Sequence, residues 1–153
     1  MGRPVTLVVR QGSVSEILPL RRAVLRPGYP DDASDYAEDA RAVHVGAWDD
    51  ERLVGCATVF AQPWPGPPPE PAAWRLRGMA VEPGRQGLGV GIRVLAEAVA
   101  AARAGGARLI WANARSSALG FYTGQGWRMA GEEFNASDTG LPHYPIVLDL
   151  TQA

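Results

Sequence analysis

The most constraining stretch of the chain is Gln86-Gly87-Leu88-Gly89-Val90-Gly91, in which three glycines alternate with larger residues. Before it lies Ala72 to Val81, an apolar run that reads as a strand and is stopped by Glu82-Pro83-Gly84. After it, Gly89 to Ala104 reads as a helix. Val90, Val94, Leu95, Ala98, Val99 and Ala102 make its apolar stripe, while Arg93 and Glu97 lie one turn apart on the solvent face. Gly105-Gly106 ends it. Glycines in such a junction leave successive backbone N–H groups uncovered, and the helix that follows adds unpaired N–H groups and the positive end of its dipole. The combination is an anion site suited to a pyrophosphate, and Arg85 could add charge.

Several loops share this outline. A P-loop needs Gly, four residues, then Gly-Lys-Ser/Thr, which is absent from the sequence. A dinucleotide loop needs Gly-x-Gly-x-x-Gly and an acidic residue at the end of the next strand; here the spacing is Gly-x-Gly-x-Gly and the next strand ends in Asn113. An acyl-CoA loop follows Gln/Arg-x-x-Gly-x-Gly/Ala, and Gln86, Gly89 and Gly91 match it. A tight strand-to-helix turn with no ligand is the plain alternative.

The remaining chain bounds what such a loop can serve. Its 153 residues fit one domain with one core. Hydrophobic residues make up 46% and charged residues 20%, ordinary globular values. A net charge of -1 favours neither nucleic acid nor an acidic membrane surface. Cys56, in an apolar run, is the single cysteine, so no intrachain disulfide can form, and a buried reduced thiol is expected. No signal-peptide core follows Met1, and no apolar stretch nears the roughly 18 residues a membrane span needs, so a cytoplasmic protein is expected. No His/Cys cluster suits a metal.

The elements alternate irregularly. Val5 to Val9 reads as a strand and Ser13 to Leu25 as a helix that Pro19 kinks or splits. A short helical piece is expected near Ser34 to Asp39. Arg41 to Trp48 and Leu53 to Phe60 form a hairpin around Asp49-Asp50. Gln62 to Pro71, with six prolines, can only be an extended loop. Leu109 to Ala112 is a strand, Ser116 or Ser117 caps a short helix ending at Gly126, and Trp127 to Phe134 and Ile146 to Leu150 are the last strands. The class is α/β or α+β with a mixed sheet.

Met79-Ala80-Val81-Glu82-Pro83-Gly84-Arg85-Gln86-Gly87-Leu88-Gly89-Val90-Gly91 resembles the strand, loop and helix at the heart of the GNAT N-acetyltransferase superfamily. Leu109-Ile110-Trp111-Ala112-Asn113 resembles that family's next strand. Phe121-Tyr122 with Gly126-Trp127 resembles its Phe-Tyr-x-x-x-Gly-Phe element, with Trp in place of the second Phe. The motifs keep family order and spacing from about Val43 onward. Gly131-Glu132-Glu133-Phe134 and Gly140-Leu141-Pro142-His143 are similar to the ending of a branch that includes ElaA-like acetyltransferases.

The resemblance implies a splayed mixed sheet of six to seven strands flanked by about four helices, with acetyl-CoA as acyl donor and no metal. The pantetheine arm would pair with the backbone of Met79, Ala80 and Val81, and the pyrophosphate would sit on Arg85, Gln86, Gly87, Leu88, Gly89, Val90 and Gly91. Asn113 would reach the pantetheine amides, with Phe121 and Tyr122 near the thioester. The acceptor would be a small-molecule or peptide amine and the chain a monomer or homodimer. A non-catalytic acyl-CoA-binding module remains the alternative, as does an acyl donor longer than acetyl.

The chemistry asks for a neutral amine, stabilisation of the carbonyl oxygen by a backbone N–H near Val81, and a proton for the leaving thiolate. Tyr122 is the candidate acid, or else a packed helix residue. Asn113 has a plainer reading as a turn residue. Glu132, Glu133 and His143 lie on the expected acceptor side; Glu133 is favoured to attract the amine and His143 is the next candidate base. Strand alternation lets only one of Glu132 and Glu133 face the cleft. Arg75 and Arg77 share one strand face, either to bind an anionic acceptor or simply to be solvated. His44 reads as structural.

Overall fold

The computed structural model describes residues 6–151, which divide into two compact units. The first holds residues 6–60 and 78–101. It begins with β1 (Leu7–Gly12) and α1 (Val14–Leu25), continues through two 3-10 turns (Asp31–Ser34 and Asp39–Arg41), and then enters β2 (Val43–Asp49) and β3 (Arg52–Ala61). The end of β4 (Ala73–Val81) and most of α2 (Val90–Ala104) complete it. Its strands lie in the order β1-β2-β3-β4, with β1–β2 and β2–β3 antiparallel. Asp49 pairs with Arg52, so the β2–β3 hairpin turns on Asp50, at φ 55, and Glu51. Asp tolerates this left-handed conformation better than most residues.

Helix α1 starts where a capping box fixes it. Ser13 accepts from the Glu16 amide, and the Glu16 carboxylate accepts from the Ser13 amide at 2.9 Å. Pro19 lies inside α1 without splitting it. Ile17 and Leu20 on either side of Pro19 are buried in a cluster with Cys56 and Ala80, and this packing outweighs the lost backbone bond. Val5 falls outside the described residues, and β1 runs further than expected, to Gly12.

The second unit holds residues 61–77 and 102–151. It contains the beginning of β4, then β5 (Leu109–Arg115), a 3-10 turn (Ser116–Ala118), α3 (Leu119–Thr123), β6 (Arg128–Met129), β7 (Phe134–Asn135) and β8 (Pro142–Asp149). Here β4 runs parallel to β5, β5 antiparallel to β8, and both β6 and β7 pair with β8. Trp64, Ala73, Trp111 and Val147 form its core. The proline-rich segment is a loop without helix, as expected, but it turns back on itself rather than running extended, and it is anchored from within. Trp64 and Glu70 exchange both backbone bonds, and Trp64 lies 5.4 Å from Trp111.

The class is mixed α+β, as the sequence indicates, with eight strands and three α-helices among the described residues. The extra strand arises because the expected strand Trp127 to Phe134 is split into β6 and β7. Pro145 of β8 has no N–H to offer a ladder, and a Cβ on Gly131 would stand 2.7 Å from the Pro145 ring. The chain therefore donates one bond there, Ala130 N–H to Pro145 O at 2.8 Å, and leaves the strand. Neither serine caps α3: no side-chain cap bond is made at the 3-10 turn or at α3. No helix among the described residues is long and apolar enough to cross a membrane.

Candidate active site

The glycine junction forms as read. Gly84, Gly87 and Gly89 have φ of +88, +82 and +83, a region that side-chain-bearing residues rarely enter. No atom lies within 4 Å of where a Cβ on any of the three would stand, so the space before these amides is open. The amides of Gln86 to Gly89 belong to no strand ladder, and α2 begins at Val90 with its first-turn N–H groups directed back to the loop. These residues fit an anion such as a pyrophosphate. The helix start is held close to the sheet, because a Cβ on Gly55 of β3 would stand 2.7 Å from Val90 Cγ1. Gln86, Gly87 and Leu88 are exposed, and Val90 is buried.

Arg85 is engaged by carboxylates. Its Nη1 donates to Asp49 Oδ2 at 2.8 Å, and its Nε lies 3.7 Å from Glu82. Arg52 also bonds Glu82 and, with Arg85, holds that carboxyl below its usual range. The expected charge beside the loop is thus compensated inside the protein.

Strand β4 supplies an edge. Its ladder with β5 covers only Ala73, Trp74 and Arg75, so from Leu76 on β4 leaves its parallel partner. Gly78, at φ +67, breaks the regular pleat. Ala80 is buried against the Cys56 cluster, while Met79 and Val81 are half-exposed. The Glu82 amide returns to Val54 O at 2.9 Å and fixes the end of the strand. A strand that runs on beyond its ladder can accept an extended ligand carrying amides.

The second unit carries the other predicted residues. Asn113 on β5 pairs with Pro145, and Arg115 pairs with His143. Cross-strand partners point to one face, so Trp111, Asn113, Arg115 and His143 share it. Arg75 joins them, its guanidinium 4.7 Å over Trp111, whereas Asn113 is exposed. Tyr122 on α3 is 6% exposed and touches Phe121 and Trp127 edge-on, at 5.1 Å and 5.5 Å. Among the described residues its hydroxyl makes no hydrogen bond, and burial pushes its pKa up, so the phenol keeps its proton at neutral pH.

Glu132 and Glu133 lie between β6 and β7, outside any strand, so alternation does not govern them as expected. Glu133 Oε2 accepts from Ser116 Oγ at 2.7 Å, the role the serine takes instead of capping. His143 stacks on Phe134 at 5.9 Å, and its Nδ1–H donates to Leu141 O at 2.8 Å. A carbonyl can only accept, so the neutral ring bears its lone pair at Nε2.

Sequence reading missed Arg21. It falls on the apolar stripe of α1, with Ile17, Leu20 and Val24, and is fully buried. A cation at a core position of an amphipathic helix was the available signal. His44 is structural, as read: it is buried, with Nδ1 2.9 Å from Thr58 Oγ1. Cys56 is a buried free thiol pushed up to about 12, chiefly by burial. Among the described residues no group of three or more His, Cys, Asp or Glu side chains could hold a metal ion.

The profile of the Acetyltransferase (GNAT) family matches residues 14–127. The chain is 31% identical over 136 residues to an uncharacterized N-acetyltransferase, YitI, of Bacillus subtilis (strain 168), covering 88% of this chain and 91% of that protein. Its fold is similar to that of Escherichia coli ElaA, with a TM-score of 0.73 at 17% identity over 93% of this chain and 99% of the other. It is also similar to an aminoglycoside 6'-N-acetyltransferase solved with coenzyme A, with a TM-score of 0.76 at 15% identity over 95% and 98%. The glycine junction, the strand before it and the helix after it all fall inside the matched span, and on that span the chain belongs to the GNAT family of acetyltransferases.

Proposed function

We propose that the protein transfers the acetyl group of acetyl-CoA to an amine. The observation that carries this reading is the open glycine loop, with positive φ at Gly87 and Gly89, running into the first turn of α2. The pyrophosphate would rest on the amides from Gln86 to Gly91, and the pantetheine would lie along Met79, Ala80 and Val81, where β4 has left β5. A backbone N–H at this edge would take the developing charge on the thioester oxygen. Asn113 would bind a pantetheine amide, Phe121 would pack near the thioester and Tyr122 would give the leaving thiolate its proton. A phenol, at about pKa 10 when unperturbed, carries a proton to give at neutral pH. A coenzyme A complex of a protein of similar fold supports the choice of donor.

The amine acceptor is small or carried on a peptide, and it arrives as an ammonium near pKa 10.4 that must lose a proton. Glu133 would attract it, with His143 as base. Calorimetry with acetyl-CoA, followed by free-thiol release across a panel of amines, tests the reading. Micromolar binding with amine-dependent thiol release is expected. Binding with no release for any amine would favour a non-catalytic acyl-CoA module, and no binding would overturn both.

A further inference from the structure

Arg21 of α1 has no exposed surface, yet it carries a full charge. Its Nη1 donates to Asp39 Oδ2 at 2.9 Å and to Ser34 O at 3.0 Å, and its Nη2 donates to Asp39 Oδ1 at 3.1 Å and to Thr58 Oγ1 at 2.6 Å. Because Thr58 accepts there, its own proton goes to His44 Nδ1 at 2.9 Å, and His44 Nε2–H donates to Asp39 O at 3.0 Å. Burial alone would raise the Asp39 carboxyl, but the Arg21 bonds and the Tyr36 amide hold it below its usual value. Every charged atom of the pair is therefore matched, except one. Arg21 Nε is buried with no partner among the described residues.

That nitrogen lies 3.0 Å from where a Cβ on Gly78 would stand. The same point is 3.2 Å from Tyr36 Cε2 and 3.5 Å from the Tyr36 hydroxyl, and the guanidinium sits 4.1 Å from the Tyr36 ring centroid. Arg21 and the Tyr36 ring thus occupy the space that a side chain at the irregular glycine of β4 would take. Tyr36 belongs to a stretch between two 3-10 turns, and the ion pair holds it on two sides: its amide donates to Asp39 Oδ2 at 3.0 Å, and its ring lies under the Arg21 guanidinium. A buried ion pair rarely improves on an apolar core for stability, which directs attention to what it positions.

We infer that Tyr36 contacts the acceptor amine and selects among acceptors, and that Arg21 is the positioning residue that sets it. This rests on the acetyl-CoA reading above. In that reading the donor arm starts at the glycine loop, beyond the C-terminal end of β4, and runs back past Val81, Ala80 and Met79. Its thioester end therefore arrives at Gly78, beside Tyr36. An amine attacking the carbonyl must approach along the side not occupied by β4, and the half-exposed Tyr36 ring borders that approach.

The test compares the parent with Tyr36→Ala, Tyr36→Phe and Arg21→Lys. It uses acetyl-CoA calorimetry and thiol release with the amine panel. Tyr36→Ala should leave acetyl-CoA affinity within about twofold of the parent. It should lower kcat/KM for the best amine about tenfold or more, mainly through acceptor KM, and reorder the panel. Tyr36→Phe, which keeps the ring, should recover most of the loss. Arg21→Lys should shift acceptor KM in the same direction; because it can also unfold the chain, Tyr36→Ala decides. Parent-like kcat/KM and panel order in a folded Tyr36→Ala overturn the inference, as does a loss confined to acetyl-CoA binding. A parent that binds acetyl-CoA but acetylates no amine overturns the acetyltransferase reading itself, and the acceptor role of Tyr36 with it.

Discussion

Arg85 and Asp49 make a bond of 2.8 Å that ties the residue entering the glycine loop to the end of β2, and Asp49 is buried while Arg85 is about one-quarter exposed. The pairing makes Arg85 a brace for the loop. A double-mutant cycle with Arg85→Gln and Asp49→Asn should give a coupling of about 1–2 kcal/mol in chemical denaturation. Arg85→Gln should weaken acetyl-CoA binding less than tenfold, because backbone amides carry the anion. A loss beyond about a hundredfold would show that Arg85 binds the pyrophosphate directly.

Gly89→Val should abolish acetyl-CoA binding. Valine is strained at φ +83, and its side chain would fill the open space before the amides. Gly84→Val is the control: φ there is +88, so the strain is similar, but the residue precedes the loop. Its affinity should stay within a few-fold of the parent in calorimetry. Equal losses in both variants would trace the effect to general strain.

Tyr122→Phe should lower kcat about tenfold to a thousandfold with acetyl-CoA affinity unchanged. The same substitution changes the alkaline limb of stability. Burial raises the folded-state pKa of Tyr122 above its unfolded value of about 10, so the unfolded chain loses that proton first. The contribution is complete below pH 10 and declines as pH climbs beyond it. Cys56 acts likewise from about pH 8.5 toward its raised value of about 12. Denaturation midpoints should therefore fall between pH 9 and 11 (roughly) in the parent. They should fall less steeply in Cys56→Ala and in Tyr122→Phe. An unchanged slope in both variants would refute the burial argument.

Glu133→Gln should raise the acceptor KM and leave the acetyl-CoA KM alone. Ser116→Ala, which removes the 2.7 Å bond to Glu133, should do the same more weakly. His143→Ala should lower kcat and move the acidic limb of its pH profile, since Nε2 is the free basic atom once Nδ1–H is committed to Leu141 O. Parent-like kinetics in all three variants would remove this segment from the handling of the amine.

The sequence by itself determined the features written in short-range chemistry. Glycines at alternate positions, the stripe of α2 and the stop at Glu82-Pro83-Gly84 place the loop, because helix period and turn chemistry act over a few residues. The motifs from Met79 to Trp127 named the family for the same reason. Tertiary structure decided what depends on partners far along the chain. Pro145 splits the strand before it across the sheet, and Ser116 bonds Glu133 instead of capping a helix. Arg21 can be buried at a core position because Asp39, Ser34 and Thr58 converge on it. None of these can be read locally, since each donor meets its acceptor only after the strands pair and α1 packs, and a buried polar atom takes whatever partner that packing brings.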